Sequence, residues 1–438
     1  MTEAAFAVLT LLVLGWAVIS DLLGRINING PLFFLVAGFL LANPDWGPLS
    51  VNVDTPSVHL VAEVTLALLL FADAARVNVS MLRHDAFLPA RLLGIGLPLS
   101  VLLGSFAAAW IFGDLSWALA GFVGATLAPT DAALSAQVIN DRRVPMRLRR
   151  LLNVESGLND GIVTPVVAFT LAVAASELGI SDHGESTESG ALLELAVGVL
   201  VGLAIGLASA TLISLGSRRH WIVPGGRRLA ALAAALSSFA LAMTLHGNGF
   251  IAAFVAGMAF GSKLDAGVAD VDRTDELPEL LGEVLALAVW FLFGAVLVPV
   301  AFDSFSFSIL VYALLSLTLI RCVPVAISLI GSGLDRQTVL FVGWFGPRGL
   351  ASVVFTLLAV EELGEGSAAA PAVAAVAFTV LLSVIFHGVS AGPLAAAYAR
   401  SRQHQDQTGD APRSRRSAES RIRSGSPPPD EADGGASA

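Results

Sequence analysis

Apolar runs of near-membrane length, parted by short polar breaks, recur from residue 4 to residue 398 and dominate what this chain can fold into. Of its 438 residues 55% are hydrophobic and 14% charged, whereas a soluble globular domain carries about 25% charged residues. An ordinary soluble fold is therefore excluded, and so is disorder for the bulk of the chain. A membrane-spanning helix needs about 20 apolar residues. The hydropathy pattern predicts an all-α polytopic membrane protein of about 13 transmembrane helices, over 4–20, 30–42, 58–75, 88–112, 116–139, 151–176, 190–216, 229–245, 248–262, 280–300, 307–331, 337–360 and 370–398. The second and ninth are short for a span, which predicts tilt or a break. The start, Met1-Thr2-Glu3, has no basic n-region, and a cleaved signal peptide is not expected.

The basic residues test the count. Allotting the loops alternately to two sides puts Arg25, Arg76, Arg83, Arg91, the Arg142–Arg150 cluster, Arg218, Arg219, Arg227, Arg228, Lys263, Arg273, Arg336 and the seven arginines from Arg400 onward on one side. That side holds 23 of the 25 basic residues and the other none. By the positive-inside rule the rich side is cytoplasmic, so the N-terminus lies outside and the C-terminus inside a multi-pass cell (inner) membrane protein. Residues 1–400 form the transmembrane domain, and 401–438, rich in Ser, Arg, Pro and Asp, form a disordered cytoplasmic tail.

Several chemistries find no motif. Cys322 is the single cysteine and cannot form an intramolecular disulfide. No G-x-G-x-x-G follows a strand, and the histidines have no zinc-ligand spacing: His59, His246 and His387 are scattered over spans, while His84, His183, His220 and His404 sit in loops. No cofactor, no resident transition metal, no nucleic-acid partner and no enzymatic activity is expected. Gly198, Gly202 and Gly206 have the spacing of close helix packing.

The two remaining basic residues, Arg321 and Arg348, lie within spans eleven and twelve. A charge inside the bilayer costs about 2.5–3.5 kcal/mol on insertion scales and is usually paired and functional. Arg348 follows Gly346-Pro347 and precedes Gly349, a sequence that must interrupt its helix, and interrupted helices face protein or a wet cavity. Carboxylates answer them: Glu63 and Asp73 in span three, Asp131 after Pro129-Thr130 in span five, and Glu155 and Asp160 in span six. Glu155 and Asn159 are four apart, as are Ser156 and Asp160, which predicts adjacent stripes facing one small volume. Such hard oxygen ligands suit an alkali cation or a proton. Spans five and twelve each carry a Pro with a polar or charged residue directly after it, and an offset of seven makes them antiparallel. This predicts two inverted six-helix repeats (about 1–176 and 229–398) with crossing discontinuous helices, whose opposed end charges Asp131 and Arg348 could neutralise.

With Pro129-Thr130-Asp131, Glu155-Ser156-Gly157-Leu158-Asn159-Asp160-Gly161, Arg321 and Phe345-Gly346-Pro347-Arg348-Gly349 in this order and spacing, the sequence resembles the bacterial NhaP-type monovalent cation:proton antiporters, relatives of the animal sodium/proton exchangers, over residues 1 to about 400. The resemblance implies thirteen helices, inverted repeats, a homodimer and a role in pH homeostasis. It implies that Asp160 binds cation and proton, a transported Na⁺ included, with Asn159, Ser156, Thr130 and Asp131 as ligands or supports, and that Glu155 and Arg321 form an intramembrane ion pair. Asp73 stands where some relatives have a glutamate near the ion. Asn159-Asp160, in place of two aspartates, resembles the electroneutral branch.

The chemistry is coherent without the resemblance. Desolvation favours the neutral form of a carboxylate, so a carboxylate in a dry site can hold either a proton or a Na⁺ near neutral pH. Competition for one group, with reluctant crossing of the empty site, makes exchange obligatory. The sequence leaves Na⁺, Li⁺ and K⁺ open as substrates, K⁺/H⁺ antiport included. Its rivals are a carboxylate-lined cation channel, which lacks a repeated filter segment, and an aspartyl intramembrane protease using Asp131 and Asp160, in which the arginines have no place.

Overall fold

The computed structural model describes residues 3–26, 28–49, 56–76, 87–180, 187–264, 274–364 and 368–408. Arg83, His84, His183, Arg273 and the tail beyond residue 408 lie outside them. All described regular structure is helical: α1 (Glu3–Arg25), α2 (Gly30–Leu41), α3 (Pro56–Arg76), α4 (Phe87–Ile111), α5 (Trp117–Thr126), α6 (Ala136–Ile139), α7 (Met146–Glu177), α8 (Thr187–Arg218), α9 (Pro224–Thr244), α10 (Gly249–Lys263), α11 (Glu276–Asp303), α12 (Phe307–Ser328), α13 (Arg336–Trp344), α14 (Leu350–Leu363) and α15 (Ala370–Thr408). Eight are long and apolar enough to cross a membrane, and α2, α5 and α10 are shorter apolar helices.

Local chemistry explains where these helices start and bend. Asn29 and Asn248 cap α2 and α10, their side chains accepting the Leu32 and Ile251 N–H groups at 3.0 Å. Pro98 and Pro299 have no N–H to donate, and the turn before each widens to a π turn, Leu92–Gly96 in α4 and Phe293–Leu297 in α11. α12 also breaks, at Thr318, whose ψ of −87° departs from the helix just before Arg321. Span five is helical only to Thr126 and again from Ala136, and span twelve is interrupted between Trp344 and Leu350.

Small residues let the backbones close up. A Cβ on Gly38 of α2 would collide with the Phe291 carbonyl of α11, and one on Gly257 of α10 with the Phe71 carbonyl of α3. The short helices thus stand in matching relation to their long neighbours, each beginning with Asn-Gly. Gly198 and Gly202 of α8 press on the Asn248 and Ala252 carbonyls of α10, where a Cβ would come to 2.7 and 2.6 Å, which is the close packing their spacing predicted. By contrast α1 buries only Ala5 and Leu9 and leaves Phe6, Leu11, Leu14, Val18 and Leu22 exposed.

The last helix runs to Thr408, eight residues into the stretch read from sequence as tail. Tertiary bonds hold its first two residues, Ser401 donating to Gln337 Oε1 at 2.6 Å. Arg402 donates to Asp335 Oδ1 (2.8 Å), Thr338 Oγ1 (2.6 Å) and the Tyr398 hydroxyl (3.0 Å), tying the end of α15 to the start of α13.

Candidate ion-binding site

Two unwound segments cross at the centre, 127–135 between α5 and α6 and 345–349 between α13 and α14. Asp131 donates its backbone N–H to the Pro347 carbonyl at 2.9 Å. A helix ending inside a membrane exposes unpaired N–H groups at one end and carbonyls at the other, and the side chains of Asp131 and Arg348 meet them here. The Asp131 carboxylate accepts the N–H of Leu350 (2.9 Å), at the start of α14, and of Ala133 (2.6 Å) and Leu134 (3.2 Å) on its own strand. The Arg348 guanidinium, wholly buried, donates to the Ala128 (2.7 Å) and Pro129 (3.2 Å) carbonyls just past α5, and to the Ser316 carbonyl (3.2 Å). The start of α14 thus faces a negative charge and the end of α5 a positive one, each opposite in sign to the partial charge of that helix end. Gly349 makes the crossing possible, because a Cβ there would overlap the Asp131 carboxylate.

α7 passes alongside. Ser156 Oγ lies 3.0 Å from Thr130 Oγ1, and Asn159 Nδ2 donates to the same Thr130 oxygen at 2.8 Å. The other amide atom, Asn159 Oδ1, is buried with no partner among the described residues. Asp160, one residue on, borders a cavity of about 350 Å³ that Asp73, Asp131, Asn153 and Ser156 also line. Room for on the order of ten waters exists in such a volume. Its mouth, at Arg76, Asn140 and Glu279, lies at the arginine-rich end of the helices, and its floor is at Leu66, Trp290 and Ala351. At that mouth Arg76 donates to Asp275 at 2.7 Å and pairs with both oxygens of Glu279. Gly157 of α7 faces Asp73 of α3, where an ideal Cβ would stand at an ordinary contact distance of 3.6 Å from the Asp73 Cβ. Among the described residues no group of three or more His, Cys, Asp or Glu is gathered to hold a metal. The site offers Asp160 and Asp73 without hydrogen bonds to described groups, Asp131 bound to backbone N–H groups, hydroxyls and an amide oxygen, a set suited to an alkali cation and not to a transition metal.

Glu155 does not share this volume. It pairs with Arg321 at 2.6 Å, both side chains buried, on the side of α7 away from the cavity. At 100° per residue, five positions separate Glu155 from Asp160 by about 140° around the helix, so the single volume expected from the two stripes divides in two. Two further residues escaped the sequence reading. Ser383 accepts the Arg348 backbone N–H at 2.7 Å, and His387 Nε2 lies 2.9 Å from the Trp344 carbonyl at the end of α13. Their signal was a pair of polar residues four apart in an apolar run.

Crossing unwound helices with compensating charges thus lie beside a carboxylate that borders a polar-lined cavity within a bundle of apolar helices. A model of the transmembrane sodium/hydrogen exchanger family matches residues 8–397, and the chain belongs to that family. Similar curated proteins include a K⁺/H⁺ antiporter NhaP of Alkalimonas amylolytica, 26% identical over 396 residues, which cover 88% of this chain and 66% of that protein. A K⁺/H⁺ antiporter NhaP2 of Shewanella sp. (strain ANA-3) is 27% identical, over 85% of this chain and 63% of its own length. The Na⁺/H⁺ antiporter 2 of Zygosaccharomyces rouxii is 25% identical, over 80% and 46%. The chain thus spans about two thirds of the length of the bacterial relatives. Its fold is similar to the sodium proton antiporter MjNhaP1 of Methanocaldococcus jannaschii at pH 8, with TM-score 0.71 at 20% identity, covering 90% of this chain and 98% of the other.

Proposed function

We propose that the protein is a secondary active transporter exchanging a monovalent cation for protons, with Asp160 as the group for which the two compete. The observation carrying this reading is that Asp160 stands on the wall of a polar cavity, free of hydrogen bonds to described groups, one turn from the charge-compensated crossing. Thr130, Ser156 and Asn159 supply neutral oxygens, and Asp131 holds the crossing together. Asp73 draws the cation toward the site. Glu155 and Arg321 form a structural pair between α7 and α12.

In this reading the chain crosses the membrane thirteen times, with the C-terminus on the cytoplasmic side. Helices up to α7 and those from α9 onward form two inverted repeats, a relation supported by Asn29/Asn248, Gly38/Gly257 and Pro129/Pro347 at nearly constant separation. The cavity then opens to the cytoplasm. The exposed apolar side of α1 suits a homodimer contact in the membrane. Exchange carries no net charge because Asn159, beside Asp160, cannot titrate.

Na⁺ and K⁺ are both candidate substrates. The names of the bacterial relatives favour K⁺, and the hard carboxylate site accommodates either. The test is dequenching of a pH-sensitive dye in inside-out vesicles, with Na⁺, Li⁺ and K⁺ added separately. Saturable proton movement on addition of one of them supports antiport; single-channel currents would establish a pore instead.

A further inference from the structure

At the end of α3 opposite the cavity mouth, His59 Nδ1 lies 2.9 Å from Glu361, near the C-terminus of α14. The His59 side chain is buried, and Glu361 is half exposed. Glu63 is one turn along α3, within electrostatic reach of both. His59, Glu63, Leu66, Leu70 and Asp73 follow the alternating spacing of four and three that puts residues on a single helix face. This face therefore carries Asp73 at the cavity, then Leu70 and Leu66 at its floor, then Glu63 and His59 beyond it. From Leu66 to His59 is seven residues, about 10 Å of helix. On the facing helix, Val354, Phe355, Thr356 and Leu357 fill the interval between Ala351 at the floor and Glu361, all buried. α3 and α14 thus seal the outer route over two turns, and the close His59–Glu361 contact stands at its far end.

We infer that His59 and Glu361 form the outer closure of the transport route, engaged while the cavity is open at the arginine-rich end and parted when the cation site opens outward. Glu63 then becomes the first carboxylate a cation meets from outside. The inference rests on the antiport reading for its direction, but the contact and the thin seal stand on geometry alone. α14 begins at Leu350, whose N–H is held by Asp131, so movement of the crossing carries the Glu361 end with it. Separation of α3 from α14 needs no other ion pair between them to break among the described residues.

A double variant, H59C with E361C in a Cys322→Ser chain, tests the closure in proteoliposomes with a one-carbon bis-methanethiosulfonate. Cross-linking should lower cation/proton exchange at least tenfold, with recovery on reduction. Complete cross-linking with unchanged exchange would overturn the inference, as would failure of these two thiols to link at all. A second arm needs no transport activity. L66C, in a Cys322→Ser chain with or without His59→Ala, is exposed to a membrane-impermeant thiol reagent from the outer side. Labelling should be at least threefold faster when His59 is removed, and equal rates overturn the closure. If the uncross-linked double variant and the parent both fail to exchange cations while this labelling difference persists, antiport fails and the closure survives.

Discussion

In the proposed exchange the competing group is Asp160, which shares the cavity wall with Asp73 and Glu283 but adjoins Ser156 and Asn159, the side chains that reach Thr130 at the crossing. Asp131 has its oxygens committed to three backbone N–H groups. Asp160→Asn keeps the shape and removes the charge, so dye dequenching with any alkali cation should vanish while detergent melting stays near the parent value. Residual exchange by purified Asp160→Asn would refute the assignment. The Glu155–Arg321 pair calls for a different measurement. Loss of either partner strands a buried charge at about 3–5 kcal/mol, and loss of both strands none. Thermal unfolding of Glu155→Ala, Arg321→Ala and the double variant should give a coupling of at least about 1 kcal/mol; simple additivity would show that the two side chains do not interact. The double variant should still exchange cations if the pair is structural.

At the scale of elements, Pro129, Pro347 and the glycines around Arg348 made the two central breaks legible in the sequence, since proline cannot donate and glycine weakens the helix. The break at Thr318 was not legible, because Leu317-Thr318-Leu319 holds no proline or glycine to mark it. Likewise the support that Ser383 and His387 give the crossing depends on how α15 lies against α13, which no local pattern encodes. The separation of Glu155 from Asp160 was within reach of the helical period and was obscured by pairing residues four apart. Close approach sets the element-scale prediction. Gly38→Ala would press a methyl group into the rigid Phe291 carbonyl, and overpacking of this kind costs about 1–3 kcal/mol. Gly157→Ala meets Asp73 only at ordinary contact distance, 3.6 Å. Melting curves should therefore fall clearly for Gly38→Ala and stay within about 0.5 kcal/mol of the parent for Gly157→Ala; the reverse order would contradict the packing of α2 on α11.

For the whole molecule the prediction concerns charge balance. One cation entering against one proton leaving, with neutral Asn159 beside Asp160, moves no net charge. A potential imposed on proteoliposomes should leave the exchange rate unchanged, and a clear dependence would show that a second titrating group takes part. The short interval between the cavity floor and His59 bears on how the molecule handles voltage. A bilayer core is about 30 Å thick, but in the proposed orientation a water-filled cavity extends the cytoplasmic potential inward to Leu66. The voltage then drops over a septum of about 10 Å, and the local field is roughly three times that in plain lipid. A neutralised site crosses this field without work. An empty, charged Asp160 does not: full transfer of one charge exchanges about 2.3 kcal/mol with each 100 mV. In the proposed cycle, leakage by the unloaded carrier, unlike coupled exchange, is therefore the step on which the membrane's electrical state acts, and this thin dielectric wall makes that action steep.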